Sequence, residues 1–135
     1  MGTEIERKFL VTGPQWRDDV ISDTVIRQGF LSTDPERIVR LRLMSGKALI
    51  TIKGRAEGVR RSEYEYTIPS ADAEEMLDEM CRPGLIEKTR YRVPHAGHTW
   101  EVDVFYGDNA GLLLAEIELR DESDDISFPA WVGPE

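Results

Sequence analysis

Apolar and charged residues alternate along much of this chain with a period of two, the spacing at which successive side chains of a β-strand point to opposite faces. Over residues 4–11, Glu4, Glu6 and Lys8 share one face and Ile5, Phe9 and Val11 the other, with Arg7 the single charge in the apolar set. Later stretches repeat the design. Residues 37–44 set Arg40 and Arg42 against Val39, Leu41 and Leu43; residues 48–53 set Leu49, Thr51 and Lys53 against Ile50 and Ile52. Residues 59–68 place Arg61, Glu63, Glu65 and Thr67 opposite Tyr64, Tyr66 and Ile68. Residues 85–93 carry Ile86, Lys88, Arg90 and Arg92 on one face, 99–106 oppose Glu101 and Asp103 to Trp100, Val102 and Val104, and 112–120 oppose Glu116 and Glu118 to Ala115, Ile117 and Leu119. With a further strand over 24–32, the pattern predicts eight strands.

The punctuation agrees. Gly13-Pro14 breaks the first strand, and residues 15–19 are expected as a helical turn with Trp16 packed on the body. Turn residues gather at 32–35, 45–47, 54–58, 94–97 and 107–111. One helix is predicted, from Ala71 to Met80, capped by Ser70 behind Pro69, with Met76, Leu77 and Met80 as its apolar stripe, covering an opening or side of the sheet. The tail, 121–135, is acidic and then proline-rich.

Eight short strands suit a small closed barrel, whose interior is just wide enough for side chains or one small ligand. The apolar faces are rich in β-branched and aromatic residues suited to packing under helices and loops, so the charged faces are expected to look inward. The predicted fold class is mainly β (α+β), an eight-stranded antiparallel closed barrel or tunnel with a polar charged lumen and one or two covering helices, in a single domain over 1–135.

Composition narrows the function. The chain has 135 residues, 40% hydrophobic and 32% charged, ordinary for a soluble globular protein. A net charge of -9 argues against nonspecific nucleic-acid binding. No run approaches the roughly 20 apolar residues of a membrane helix, and no secretory signal pattern opens the chain, so no membrane partner is expected. Cys81 is the only cysteine, which rules out an intrachain disulfide; a cytoplasmic location is expected. His95 and His98 read as turn residues rather than zinc ligands, and there is no glycine-rich phosphate loop.

The charged alternate positions comprise the acids Glu4, Glu6, Glu63, Glu65, Glu101, Asp103, Glu116 and Glu118 and the bases Lys8, Arg40, Arg42, Lys53, Arg61, Lys88, Arg90 and Arg92. Like charges about 4 Å apart repel by roughly 4 kcal/mol at an effective dielectric near 20, so crowded carboxylates either raise one another's pKa or share a divalent cation. An all-oxygen donor set suits Mg²⁺ or Mn²⁺. The Arg and Lys residues have the opposite need, and the guanidinium fork matches phosphate oxygens. A metal-bound polyphosphate satisfies both groups. The competing explanation is a solvent-exposed sheet face carrying ordinary cross-strand ion pairs.

The motif Glu4-x-Glu6-x-Lys8 is followed in order by Gln28-Gly29-Phe30-Leu31, the pair Arg40 and Arg42, Thr51-Ile52-Lys53, and Arg61, Glu63 and Glu65; then Glu87-Lys88-Thr89-Arg90-Tyr91, Trp100 to Phe105, and Ala115 to Leu119. In this order the motifs resemble the CYTH superfamily, the triphosphate tunnel metalloenzymes, in their small bacterial form. The resemblance implies a divalent-metal-dependent triphosphatase with a small-molecule triphosphate as substrate. Inorganic tripolyphosphate comes first, because so short a chain offers little beyond the tunnel to recognise an organic group. Class IV-type adenylyl cyclisation, thiamine or nucleoside triphosphate hydrolysis, and polyphosphate capture without turnover are alternatives. By motif position, Lys8, Arg40, Arg42, Lys53, Arg61, Lys88 and Arg90 would hold phosphate. Glu4, Glu6, Glu101, Asp103, Glu116 and Glu118 would hold metal, and Glu63, Glu65 and Lys8 would act in catalysis. A monomer or homodimer is expected. Small members usually continue past the segment resembling Phe128 to Gly133 into a terminal helix; this sequence ends at Glu135, and a tunnel domain without that helix is expected.

Overall fold

The computed structural model describes residues 2–81 and 83–135. Alternation becomes strand where it was read: β1 (Thr3–Leu10), β2 (Ser22–Ser32), β3 (Ile38–Met44), β4 (Lys47–Lys53), β5 (Arg60–Ile68), then helix α1 (Ser70–Met80), β6 (Ile86–His95), β7 (His98–Phe105) and β8 (Leu113–Glu118), with 3-10 turns at Gln15–Asp19 and Gly107–Asn109. The strands form a closed antiparallel ring in the order β1-β5-β4-β3-β2-β6-β7-β8. β1 closes it by serving two neighbours: Thr3, Glu4 and Ile5 pair with β5, and residues 6–10 pair with β8. Closure leaves no sheet edge open to another chain.

The apolar faces point outward and are buried by two covers. On one side, Phe9, Val102, Ala115 and Ile117 pack with Trp16 and with the tail, whose Trp131 and Phe128 meet the fully buried Trp100 at ring-centroid separations of 5.9 and 6.1 Å. Backbone bonds fasten the tail along the end of β1: Leu10 N–H donates to Pro134 O at 2.8 Å and Gly133 N–H to Leu10 O at 2.7 Å. The proline-rich tail is therefore a second cover, built of irregular chain.

On the other side α1 lies over β2, β3 and β4, with Leu77 and Cys81 against Leu41. Gly29 makes this approach possible, because a Cβ there would stand 2.7 Å from the Cβ of Cys81 and 3.1 Å from a Leu77 methyl. Two-residue hairpins at Ser45-Gly46 and Ala96-Gly97 use the positive φ angles such turns require.

Four local expectations are corrected. The N-cap of α1 is Pro69 with no side-chain cap; the Ser70 hydroxyl instead donates to Gly46 O at 3.4 Å. Met80 is 60% exposed, and Ala73 and Cys81 complete the buried stripe in its place. Val11 lies beyond β1, in an isolated bridge to Val132 and packed against the core. On the outer face of β5 only the Ile68 end reaches the cluster under α1; Tyr64 and Tyr66 are 49% and 59% exposed. Among the described residues no helix is long and apolar enough to cross a membrane.

Candidate functional site

The charged faces converge on the barrel axis, lining a cavity of about 500 Å³ that brings together residues from all eight strands. Register explains who meets whom, since residues directly opposite on antiparallel neighbours have side chains about 5 Å apart. Arg90 faces Asp103 across β6 and β7; its Nε donates to Asp103 Oδ1 at 2.8 Å and its Nη2 to Oδ2 at 2.9 Å. Lys88 Nζ reaches the same carboxylate at 2.7 Å. Lys53 faces Glu63 across β4 and β5 at 3.3 Å and also bonds Glu4 at 2.9 Å. Lys8, with an exposed side chain, stands 3.7 Å from both Glu6 and Glu116.

Two arginines are held differently. Arg42 faces Gln28 across β2 and β3, and its Nε donates to Gln28 Oε1 at 2.8 Å. Arg40 faces Thr51, whose hydroxyl lies 3.5 Å from its Nη2 and itself donates to Glu65 at 3.0 Å. Neither arginine makes an ion pair among the described residues, and the buried Nε of Arg40 has no acceptor at all. A bulge after Phe30, where the next rung pairs Ser32 with Val39, sits at the strand position of Arg40 and re-aims the local backbone.

The charges strain one another in both directions. Burial, followed by repulsion from Arg40 and Arg90, pulls Arg42 down to about 10. Arg40 is lowered by burial and by Arg90. Burial also pulls Lys88 down to about 8; Asp103 opposes this, and Arg90 and Arg42 reinforce it. Burial alone would raise Asp103, but its bonds from Arg90 outweigh that and hold it below the usual carboxylate range. Glu6 is pushed up to about 8 by burial and by the neighbouring Glu116 and Glu4 carboxylates. Glu118 is raised by burial and by Glu4 and Glu101.

The acidic half of the lumen fits a hard divalent cation on the chemistry of its donors. It offers carboxylate oxygens only, and a nearby cation would relieve the repulsion that Glu116 and Glu4 exert on Glu6. In this conformation the carboxylates are spread along the wall; among the described residues no three are drawn together as a metal cage.

The structure places Glu4, Glu6, Lys8, Arg40, Arg42, Lys53, Glu63, Glu65, Lys88, Arg90, Glu101, Glu116 and Glu118 around one cavity. Two expected site residues stand apart from it. Arg61 lies at a side opening beside Glu4, Lys8 and Lys53. Asp103, expected as a metal ligand, is fully buried behind Lys88 and Arg90, with both oxygens committed to them. Sequence reasoning passed over Gln28 and Thr51 as site residues because they are uncharged; their signal was a polar side chain at a lumen-facing position inside a matched motif. His95 ends β6 and His98 opens β7, paired across the Ala96-Gly97 turn rather than within it, and the buried Nδ1 of His98 has no partner among the described residues.

A CYTH domain family model matches residues 2–135. The inorganic triphosphatase of Acetivibrio thermocellus is 44% identical over 135 residues, spanning 100% of this chain and 86% of that protein. The inorganic triphosphatase of Nitrosomonas europaea is 38% identical over 138 residues, spanning 98% of this chain and 88% of that protein. A crystal structure of an inorganic triphosphatase superposes with a TM-score of 0.67 at 35% identity, covering 97% of this chain and 87% of the other. With an ionic lumen inside a closed eight-stranded barrel and a family match along nearly its whole length, the chain belongs to the CYTH domain family.

Proposed function

We propose that this protein hydrolyses linear triphosphates with the help of a divalent cation held in the barrel lumen, and that inorganic tripolyphosphate is its preferred substrate. The observation that carries this reading is the pair of unmet needs in one cavity. Arg40 and Arg42 have cationic forks without a carboxylate partner, and Glu6 is buried beside the carboxylates of Glu116 and Glu4, which push it up. A metal-bound triphosphate answers both. The relatives named inorganic triphosphatase support the substrate choice, and membership of the CYTH family carries a divalent-metal dependence. Mg²⁺ or Mn²⁺ is the proposed ion, as oxygen-only donors favour it over zinc.

Arg40 and Arg42 are assigned to the phosphate chain, with Lys8, Lys53, Lys88 and Arg90 completing the positive wall and Arg61 at its side opening. Glu4, Glu6, Glu101, Glu116 and Glu118 are assigned to the metal. Asp103 is reassigned from ligand to anchor, since its oxygens already hold Lys88 and Arg90. When bound, the cation polarises phosphoryl oxygens and offsets their charge. A water oxygen bonds to the terminal phosphorus as the bridging P–O bond breaks, and the bridging oxygen departs with pyrophosphate while orthophosphate forms. Glu63 and Glu65 are assigned to orient that water and to accept its proton on the way to solvent. The fixed positive wall stabilises charge spread over the equatorial oxygens without rearranging at the moment of reaction. Lys8 is assigned to the terminal phosphate.

A substrate panel tests the reading. With Mg²⁺ or Mn²⁺ present, orthophosphate release from tripolyphosphate should exceed release from ATP or thiamine triphosphate by about tenfold or more, a ratio within reach of pocket discrimination. A chelator should abolish it. Turnover of tripolyphosphate no faster than of ATP, or conversion of ATP to pyrophosphate and cyclic nucleotide, would overturn the proposal.

A further inference from the structure

Gln28 takes no part in the chemistry assigned above, yet it is 5% exposed, faces the lumen, and spends its carbonyl oxygen on the Nε of Arg42 at 2.8 Å. Its surroundings show why a neutral residue matters there. Arg90, on the other flank of β2, is gripped by Asp103 through two hydrogen bonds and approached by Glu101 and Glu116, so much of its charge is already answered by protein. Arg42 has the same buried setting and no carboxylate partner; the bond to Gln28 is its one hydrogen bond among the described residues.

An amide oxygen fixes a guanidinium as a carboxylate would, through one well-placed acceptor, but it adds no compensating charge. By bonding Nε it also leaves the two terminal nitrogens, the fork that matches phosphate oxygens, unspent. Arg40 also has a neutral partner, but in a different geometry: the Thr51 hydroxyl meets its Nη2 at 3.5 Å, and its Nε is left without an acceptor among the described residues. The backbone behind Gln28 is pinned as well. Gly29, its outward neighbour, is the point at which α1 seats against the barrel, so docking of the helix holds the strand that carries Gln28.

We propose that Gln28 is a positioning residue that presents Arg42 to the triphosphate with its charge uncompensated. The inference rests on the triphosphate reading of the lumen. Chemically it separates the lumen cations into two sets. Arg90, Lys88 and Lys53 join the positive wall with carboxylates of the protein already beside them, whereas Arg42 and Arg40 have only neutral hydrogen-bond partners among the described residues.

Two substitutions at one site test it. Gln28→Glu keeps the acceptor oxygen and nearly the same shape but adds the missing carboxylate; Gln28→Met keeps the volume and deletes the acceptor. With Mn²⁺ present and the fold verified by melting, Gln28→Glu should raise KM for tripolyphosphate about 30-fold, the size of one lost charge-assisted contact, while Gln28→Met raises it about fivefold. The Gln28→Glu protein should melt at or above the parent temperature, because a buried guanidinium gains a partner. A purely structural hydrogen bond predicts the opposite order, with Gln28→Glu the milder change. The inference is overturned if Gln28→Glu stays within about threefold of the parent KM, below the loss of a single such contact, or if Gln28→Met is equally or more damaging. A parent protein that neither turns over tripolyphosphate nor is stabilised by it would refute the triphosphate reading itself, and the inference with it. An active parent with an indifferent Gln28→Glu variant refutes the inference alone.

Discussion

Replacing Arg42 with methionine should lower kcat/KM for tripolyphosphate by about 10³-fold, in the range seen when a fixed donor to developing oxyanion charge is removed. The fold should survive. Arg42 is held against burial and against repulsion from Arg40 and Arg90, which together pull it down to about 10, so its charge costs the folded state something. Its loss leaves the Gln28 amide without its partner, a cost of about 1–3 kcal/mol, and this is offset by the repulsion relieved. The melting temperature should therefore move by no more than about 5 °C. A residue retained at some expense to stability, with a large effect on turnover, has the profile of a site residue. Steady-state kinetics and thermal melting of the same preparation check both halves, and a variant that kept a tenth of parental kcat/KM would remove Arg42 from the phosphate-binding set.

Asp103→Asn should have the opposite profile. Asp103 is fully buried and satisfies two cations at once, with Lys88 at 2.7 Å and Arg90 through two bonds below 3.0 Å. The neutral amide keeps the shape but leaves both cations short of a counter-charge inside the barrel. Breaking a buried ion pair by removing one partner costs about 3–5 kcal/mol, which for a domain of this size is a melting-temperature drop of roughly 10–20 °C. Calorimetry reads it directly. A variant melting within a few degrees of the parent would show that Lys88 and Arg90 do not depend on this carboxylate, and Asp103 would return to the list of candidate metal ligands.

The contrast between these residues marks what the sequence could reveal. Alternation along β1, β3, β4, β5, β6, β7 and β8 was enough to say which face carries charge, and eight such strands implied closure, so the inward ionic lumen was legible. Partnering was not. Asp103 and Glu116 look alike in a string, but register places Asp103 opposite Arg90 and Glu116 opposite both Lys8 and Glu101, which buries one carboxylate behind cations and leaves the other on the cavity wall. Register accumulates around the ring through the split pairing of β1, and no local pattern encodes that split. The tail escaped for a related reason. Its proline-rich, irregular run has no periodicity, and only the fold shows Phe128 and Trp131 packed around Trp100. Gln28 and Thr51 were hidden by being neutral, which is the property that gives them their place beside Arg42 and Arg40.

The most direct test of the central claim, that the inward ionic faces hold a metal-bound triphosphate, is a crystal structure with tripolyphosphate and Mn²⁺ bound, the ion located by its anomalous signal. The account predicts phosphate oxygens on the forks of Arg40 and Arg42 inside the barrel, with manganese on the carboxylate side among Glu4, Glu6, Glu116 and Glu118. Phosphate and manganese found together outside the lumen, with Arg40 and Arg42 untouched, would contradict it.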